Sequence, residues 1–125
     1  MFKIIEGKRI ELTRGDIASF KVEAIENNKP YEFQAGEIVR FKVYEKNDCK
    51  CVKLLKDVTV EKKTTSVDIN LESKDTKGIC NYINSPKEYW FEVELNPETA
   101  PQTIVGYDKE PAVFKLLPEG GEVNE

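Results

Sequence analysis

Along most of the chain apolar residues recur at every second position, the period of a strand with one face buried. Ile10 and Leu12 stand between Arg9, Glu11 and Thr13, and Ala18, Phe20, Val22 and Ala24 alternate with Ser19, Lys21 and Glu23. Val39, Phe41 and Val43 alternate with Arg40 and Lys42, and Val67, Ile69 and Leu71 with Asp68 and Asn70. Tyr89, Phe91, Val93 and Leu95 alternate with Trp90, Glu92 and Glu94. Val52, Leu54, Val58 and Val60 nearly share a face, but Lys56 interrupts it, which predicts a bulge or twist near Leu55. Two weaker strands are predicted over 102–107 and Ala112–Leu117, giving eight strands.

Turn residues separate these runs. Asn27-Asn28-Lys29-Pro30 divides two of them, and Asn tolerates the left-handed backbone that tight hairpins need. Gly36 precedes the third strand, and segments rich in Asn, Pro and Gly over 96–101 and 106–111 link the last three. The single helical candidate is 73–82, with Ser73 or Asp75 as its cap and Gly78 limiting it to one or two turns. Short strands that are apolar on one side pack as facing sheets. The prediction is an all-β fold, an antiparallel two-sheet β-sandwich of immunoglobulin-like size with at most one short helical segment; an open barrel is the alternative. Phe20, Val22, Phe41, Val43, Ile69, Tyr89, Phe91 and Val93 are its expected core. Residues 1–117 form the domain and 118–125 a flexible acidic tail.

Composition narrows the chemistry. Val and Ile number 21 against 12 for Leu and Ala, a balance that favours strands. The absence of His removes Ser-His-Asp and Cys-His machinery, His general bases and most catalytic zinc sites. A net charge of −4 argues against nucleic-acid binding. No run approaches the roughly 18 apolar residues of a membrane span, and the first residues lack a signal-peptide core. Cys49, Cys51 and Cys80 read as reduced thiols of a chain made in the cytoplasm, short of the usual four ligands for a metal. An enzyme is not expected: no catalytic, cofactor-binding or metal residues can be assigned.

Four groupings invite a function. Arg14-Gly15-Asp16 matches an adhesion tripeptide, yet it lies between two strands where Gly and Asp make a turn. Asp68-Ile69-Asn70-Leu71-Glu72 has spaced oxygens but no central Gly, and reads as the polar side of a strand. Trp90 projects away from the core beside Glu88, Glu92 and Glu94, a candidate contact for protein or sugar. The strand Ala112–Leu117, last in the chain, is expected at a sheet edge with Val113 and Leu117 outward and Lys115 guarding it against uncontrolled pairing. Trp90, Val113 and Leu117 are therefore the candidate interface.

The order of several motifs resembles a known family. Leu12-Thr13-Arg14-Gly15-Asp16, the Asn-rich hairpin, Tyr31-Glu32-Phe33 and Gly36-Glu37-Ile38-Val39-Arg40-Phe41-Lys42-Val43 resemble small prophage proteins of Gram-positive bacteria and the N-terminal Ig-like module of the phage baseplate upper protein family. Tyr89-Trp90-Phe91-Glu92-Val93-Glu94-Leu95, Thr103-Ile104-Val105-Gly106-Tyr107-Asp108 and Phe114-Lys115-Leu116-Leu117-Pro118-Glu119-Gly120 extend the likeness over residues 8 to about 121. The resemblance implies a non-enzymatic virion part, made in the bacterial host cytoplasm. It would dock onto tail, baseplate or head proteins, or onto copies of itself, with no nucleic acid, membrane or cofactor involved. Glu37 stands where that family more often has Asp. The sequence also stops at Glu125, where baseplate proteins continue into a stalk and receptor-binding part, so an attachment or accessory role is expected.

Overall fold

The alternating segments pair into one large sheet with a small ladder laid on its inner face. A computed structural model describes residues 3–5, 9–80, 83–96, 98–99, 101–105 and 112–118, without the side chains of 3–5, 49 and 105. In chain order the strands are β1 (Lys3–Ile5), β2 (Arg9–Thr13), β3 (Ala18–Val22), β4 (Ile25–Glu26), β5 (Lys29–Pro30), β6 (Ile38–Glu45), β7 (Asp48–Thr59) and β8 (Val67–Leu71). The helix α1 (Ser73–Ile79) is followed by β9 (Lys87–Leu95), β10 (Gln102–Val105) and β11 (Ala112–Leu117). The large sheet runs β1-β2-β11-β9-β6-β7, and β10 also pairs with β9. Because β6 occupies one edge of β9 along Trp90 to Leu95, β10 and β11 lie in line on the other.

All eight predicted strands are present within the described residues; 106 and 107 of the tenth lie outside them, as do 119–125 of the predicted tail. Three more, β1, β4 and β5, are only two or three residues long, too short for alternation to reveal. The pairing is mostly antiparallel, with one correction: β11 runs parallel to β2, with Phe114 opposite Ile10 and Leu116 opposite Leu12. The second layer is also smaller than two equal sheets, since only β3 and β8 form its ladder.

Every expected core residue is buried. Phe41, with no exposed surface, meets Phe20 of the ladder edge-on at 5.2 Å between ring centres. It also lies 5.5 Å from Phe91 and 6.2 Å from Phe114 on its own sheet. Such aromatic pairs add to the burial of apolar surface. Ile79 of α1, Ile83 and Phe33 close the same core.

Turn chemistry works as expected at Asn27 and Asn28. Their φ angles of 52° and 63° make the left-handed two-residue turn that joins β4 to β5. The cap of α1 differs: Glu72 precedes the helix as its N-cap, and Asp75, the third helical residue, accepts the Glu72 N–H at 2.8 Å. The helix stops at Ile79, and 81–82 of the predicted span lie outside the described residues.

Lys56 does not break β7. It sits opposite Phe41 in register, so it shares the inner face, where Asp75 accepts from its ammonium at 2.6 Å. β7 is an edge strand, and an inward charge there hinders pairing with a foreign strand. The irregularity falls two residues earlier than expected. Val43 pairs with Leu54 and Tyr44 with Val52, which leaves Lys53 as the extra residue of a bulge.

Glu37 ties the start of β6 to three neighbours. Its carboxylate accepts from the Gln34 N–H (2.7 Å), the Tyr31 hydroxyl (2.8 Å) and the Asn96 side-chain amide (2.9 Å). Burial alone would raise this carboxyl, but those donors outweigh it and hold it below the usual range. Asp75 behaves alike: burial is opposed by the Glu72 N–H and the Lys56 ammonium, with a net lowering. The Tyr31 phenol, desolvated and donating to Glu37, is pushed up to about 12.

Two predictions follow from this packing. Phe41→Ala should cost about 3–5 kcal/mol in urea denaturation, since it leaves a cavity where both layers meet. Tyr89→Phe should be neutral or mildly stabilising, because the buried Tyr89 hydroxyl has no hydrogen-bond partner among the described residues. Acid provides a third check. Carboxyls depressed in the folded state stabilise it fully above their unfolded values, and that stability is lost as pH falls through their folded ones. The melting temperature should therefore hold at neutral pH and fall once pH drops below about 4.5. Glu37→Gln should melt lower at neutral pH and show a shallower acid decline.

Candidate protein-contact face

Alternation that buries one side of the sheet commits the other side to solvent. On this outer face register sets four apolar side chains in one row across four strands. Val52 of β7 is opposite Tyr44 of β6, Tyr44 is opposite Trp90 of β9, and Trp90 is opposite Val113 of β11. Arg9 of β2 ends the row beside Val113. Tyr44 is only 7% exposed although it lies outside the inner core cluster, so its outer-face neighbours cover it. Trp90 and Val113 are half-buried, and Val52 is 42% exposed. Leu55, 47% exposed, flanks the row opposite Lys42.

Charges on both sides of the row are paired with one another. Toward one end of the strands Lys42 meets Glu92 at 3.3 Å, and beyond it Arg40 forms a two-point contact with Asp57 (2.8 and 3.0 Å) and reaches Glu98 at 3.0 Å. Toward the other end Glu88 accepts from Lys46 at 2.6 Å and from Arg9 at 3.3 Å, while Glu11 lies within 3.5 Å of Arg9 and 3.9 Å of Lys115. The hydrogen bond from Lys46, against some burial and with Arg9 assisting, holds the Glu88 carboxyl below its ordinary range. The Lys42 ammonium sits 5.6 Å from the centre of the Tyr44 ring. Each surface pair contributes little stability. Together they frame the apolar row with charges that already have partners.

Trp90 and Val113 are thus adjacent, as an interface requires. Leu117 lies on the same side of β11 but opposite Thr13, separated from Val113 by the charged Lys115 position. The expected edge position of β11 is corrected: it is an interior strand, bonded to β2 on one side and β9 on the other. Being last in the chain did not put it at the margin, because the backbone edges of β2 and β9 both pair with it, keeping Phe114 and Leu116 on the buried side. Lys115 accordingly pairs with Glu11 and guards no edge.

Val52, Tyr44 and Leu55 are the face residues that the sequence reading missed. Val52 was expected to share the inner face with Leu54; the extra residue Lys53 turns it outward instead. Alternation from Val43 did signal an outward Tyr44, but only pairing put it beside Trp90.

The other groupings are structural. Arg14 is buried and its Nε donates to the Cys80 carbonyl at 2.7 Å. The Gly15 N–H donates to the Thr76 hydroxyl at 2.8 Å, with Gly15 at φ 92°. The tripeptide therefore clamps the β2–β3 turn to α1 and is not displayed. Asp68 and Asn70 are exposed positions of β8, and Asp68 meets Lys21 at 3.1 Å. Cys51 and Cys80 are half-exposed thiols outside any disulfide, and the Cys49 side chain lies outside the described set. Among the described residues no three His, Cys, Asp or Glu side chains are grouped to hold a metal ion.

Trp90 is the sole tryptophan and reports on this face. Its fluorescence should be quenched by acrylamide in the native state, though less than in urea. Val113→Ala should increase the native quenching constant, whereas Leu117→Ala should leave it unchanged; equal effects would mean that Leu117 shields Trp90 as Val113 does. Compared with known proteins, the chain matches no family model, no curated protein and no solved structure.

Proposed function

We propose that this chain is a non-enzymatic binding module: a structural or attachment part of a phage or prophage virion that acts by protein–protein contact, on an immunoglobulin-like sandwich plan. The observation that carries the contact reading is the row Val52–Tyr44–Trp90–Val113, flanked by the ion pairs Lys42–Glu92, Lys46–Glu88 and Arg9–Glu88. An aromatic centre inside a polar rim is the anatomy of a protein interface, and Trp and Tyr are the side chains that most often anchor one. The virion assignment rests on the motif order in the sequence. A small carbohydrate- or cell-surface-binding domain is the second reading. It leans on Trp90 alone, because Tyr44 is too covered to offer a ring face. No helix among the described residues is long and apolar enough to cross a membrane.

Trp90→Ser and Leu55→Glu test the face. Both should keep the native circular dichroism spectrum. Each should weaken association, followed by sedimentation velocity of the protein alone and mixed with the products of genes flanking its own. For Trp90→Ser the loss should be at least about 30-fold, the scale of a 2 kcal/mol anchor. Association unchanged in both folded variants overturns the outer face as the interface. Binding to a glycan array that Trp90→Ser abolishes, with no protein partner found, replaces the proposal by the second reading.

A further inference from the structure

The inner side of the sheet is not fully covered. Where β9 ends and β10 begins, Leu95 and Gln102 pair on the inner face, and the nearest part of the upper layer is the β4–β5 hairpin. Between them lies a cleft of about 460 Å³. Ala24, Leu95, Ile104 and the Tyr31 ring supply its apolar surface, and Glu23 and Glu26 bring carboxylates to it. The Tyr31 hydroxyl is held by Glu37 and its ring packs edge-on against Phe33 at 5.1 Å, so this wall is set in place.

The electrostatics differ from those of the outer face. There Glu11, Glu88 and Glu92 all have cationic partners. Here, among the described residues, no Lys or Arg lines the cleft and neither Glu23 nor Glu26 forms an ion pair. Lys29 faces Glu26 across the hairpin, yet the two do not pair. Ile25, between the two carboxylates, is 79% exposed. The strands on either side, β4 and β10, each bond to a single neighbouring strand among the described residues. Backbone donors and acceptors therefore remain for an added extended segment.

We propose that this cleft receives a lysine or arginine side chain from an extended segment of a partner protein. The aliphatic stem would pack on Ala24, Leu95 and Ile104, and the charged head would meet Glu23 and Glu26 over the Tyr31 ring. Complementary charge selects the side chain, and the one-sided strands favour a peptide over a free amine. The site is separate from the outer face and does not depend on that reading.

The test uses a capped five-residue peptide with a central lysine flanked by valine and threonine. Its controls are the same peptide carrying norleucine and n-butylammonium, each titrated into the whole chain and followed by nitrogen-15 NMR. The lysine peptide should shift the amides of 23–26 and 102–104, and binding should weaken as salt is raised. The Glu23→Gln/Glu26→Gln double variant, checked for an otherwise native spectrum, should bind about tenfold more weakly, as should norleucine peptide and n-butylammonium to the native chain. Absence of shifts at these amides overturns the proposal, as does equal binding by the double variant or by the norleucine peptide. Equal binding of n-butylammonium would overturn the protein-segment assignment in favour of a small-amine site.

Discussion

Phe41 is the residue on which both layers converge. Its ring touches Phe20 from the ladder and lies beside Phe91 and Phe114 within the sheet. β3 and β8 alone could not bury their apolar sides, because a two-stranded ladder is marginal in water. Nor could the large sheet leave Phe41, Phe91 and Phe114 open to solvent without losing the largest favourable contribution to folding. The contact between these rings therefore fixes the distance and orientation of the layers, and α1, Ile83 and Phe33 fill the remaining inner surface.

Once the inner face is committed, the outer face is no longer free to vary. Val113 reaches Trp90 because Phe114 must point inward opposite Tyr89, and Trp90 reaches Tyr44 because Phe91 must point inward opposite Val43. The candidate contact row is thus a geometric consequence of the core. Its exposed end at Val52 depends on one added residue, Lys53, in the edge strand. The bulge turns Val52 outward, on the same face as Leu55, at the sheet margin.

The same margin is protected against indiscriminate pairing. Lys56 points inward from β7, and Asp75 at the start of α1 neutralises it. A foreign strand laid along β7 would meet this ion pair on its inner side. Strand addition along this edge is thereby disfavoured, and the proposed cleft lies away from it.

The sequence by itself determined the eight longer strands and, apart from the bulged start of β7, which side of each is buried, because a period of two is local and Phe20, Phe41, Ile69 and Tyr89 announce it without knowing their neighbours. It also determined the Asn27-Asn28 turn, where side-chain chemistry and backbone conformation are properties of the same residues. Only the tertiary structure decided strand order. Whether β11 lies at an edge or between β2 and β9 depends on which strand edges have unpaired backbone groups when it docks, and no local pattern records that. Trp90 and Val113 were legible as outward-facing residues, but their contact was not. Val52 was misplaced because a single-residue bulge reverses the facing of everything before it, and Lys53 carries no local mark of being the extra residue. The cleft between β4 and β10 was invisible for the same reason: Glu23 and Tyr31 lie far along the chain from Leu95 and Ile104, and only the meeting of hairpin and sheet brings the two pairs together.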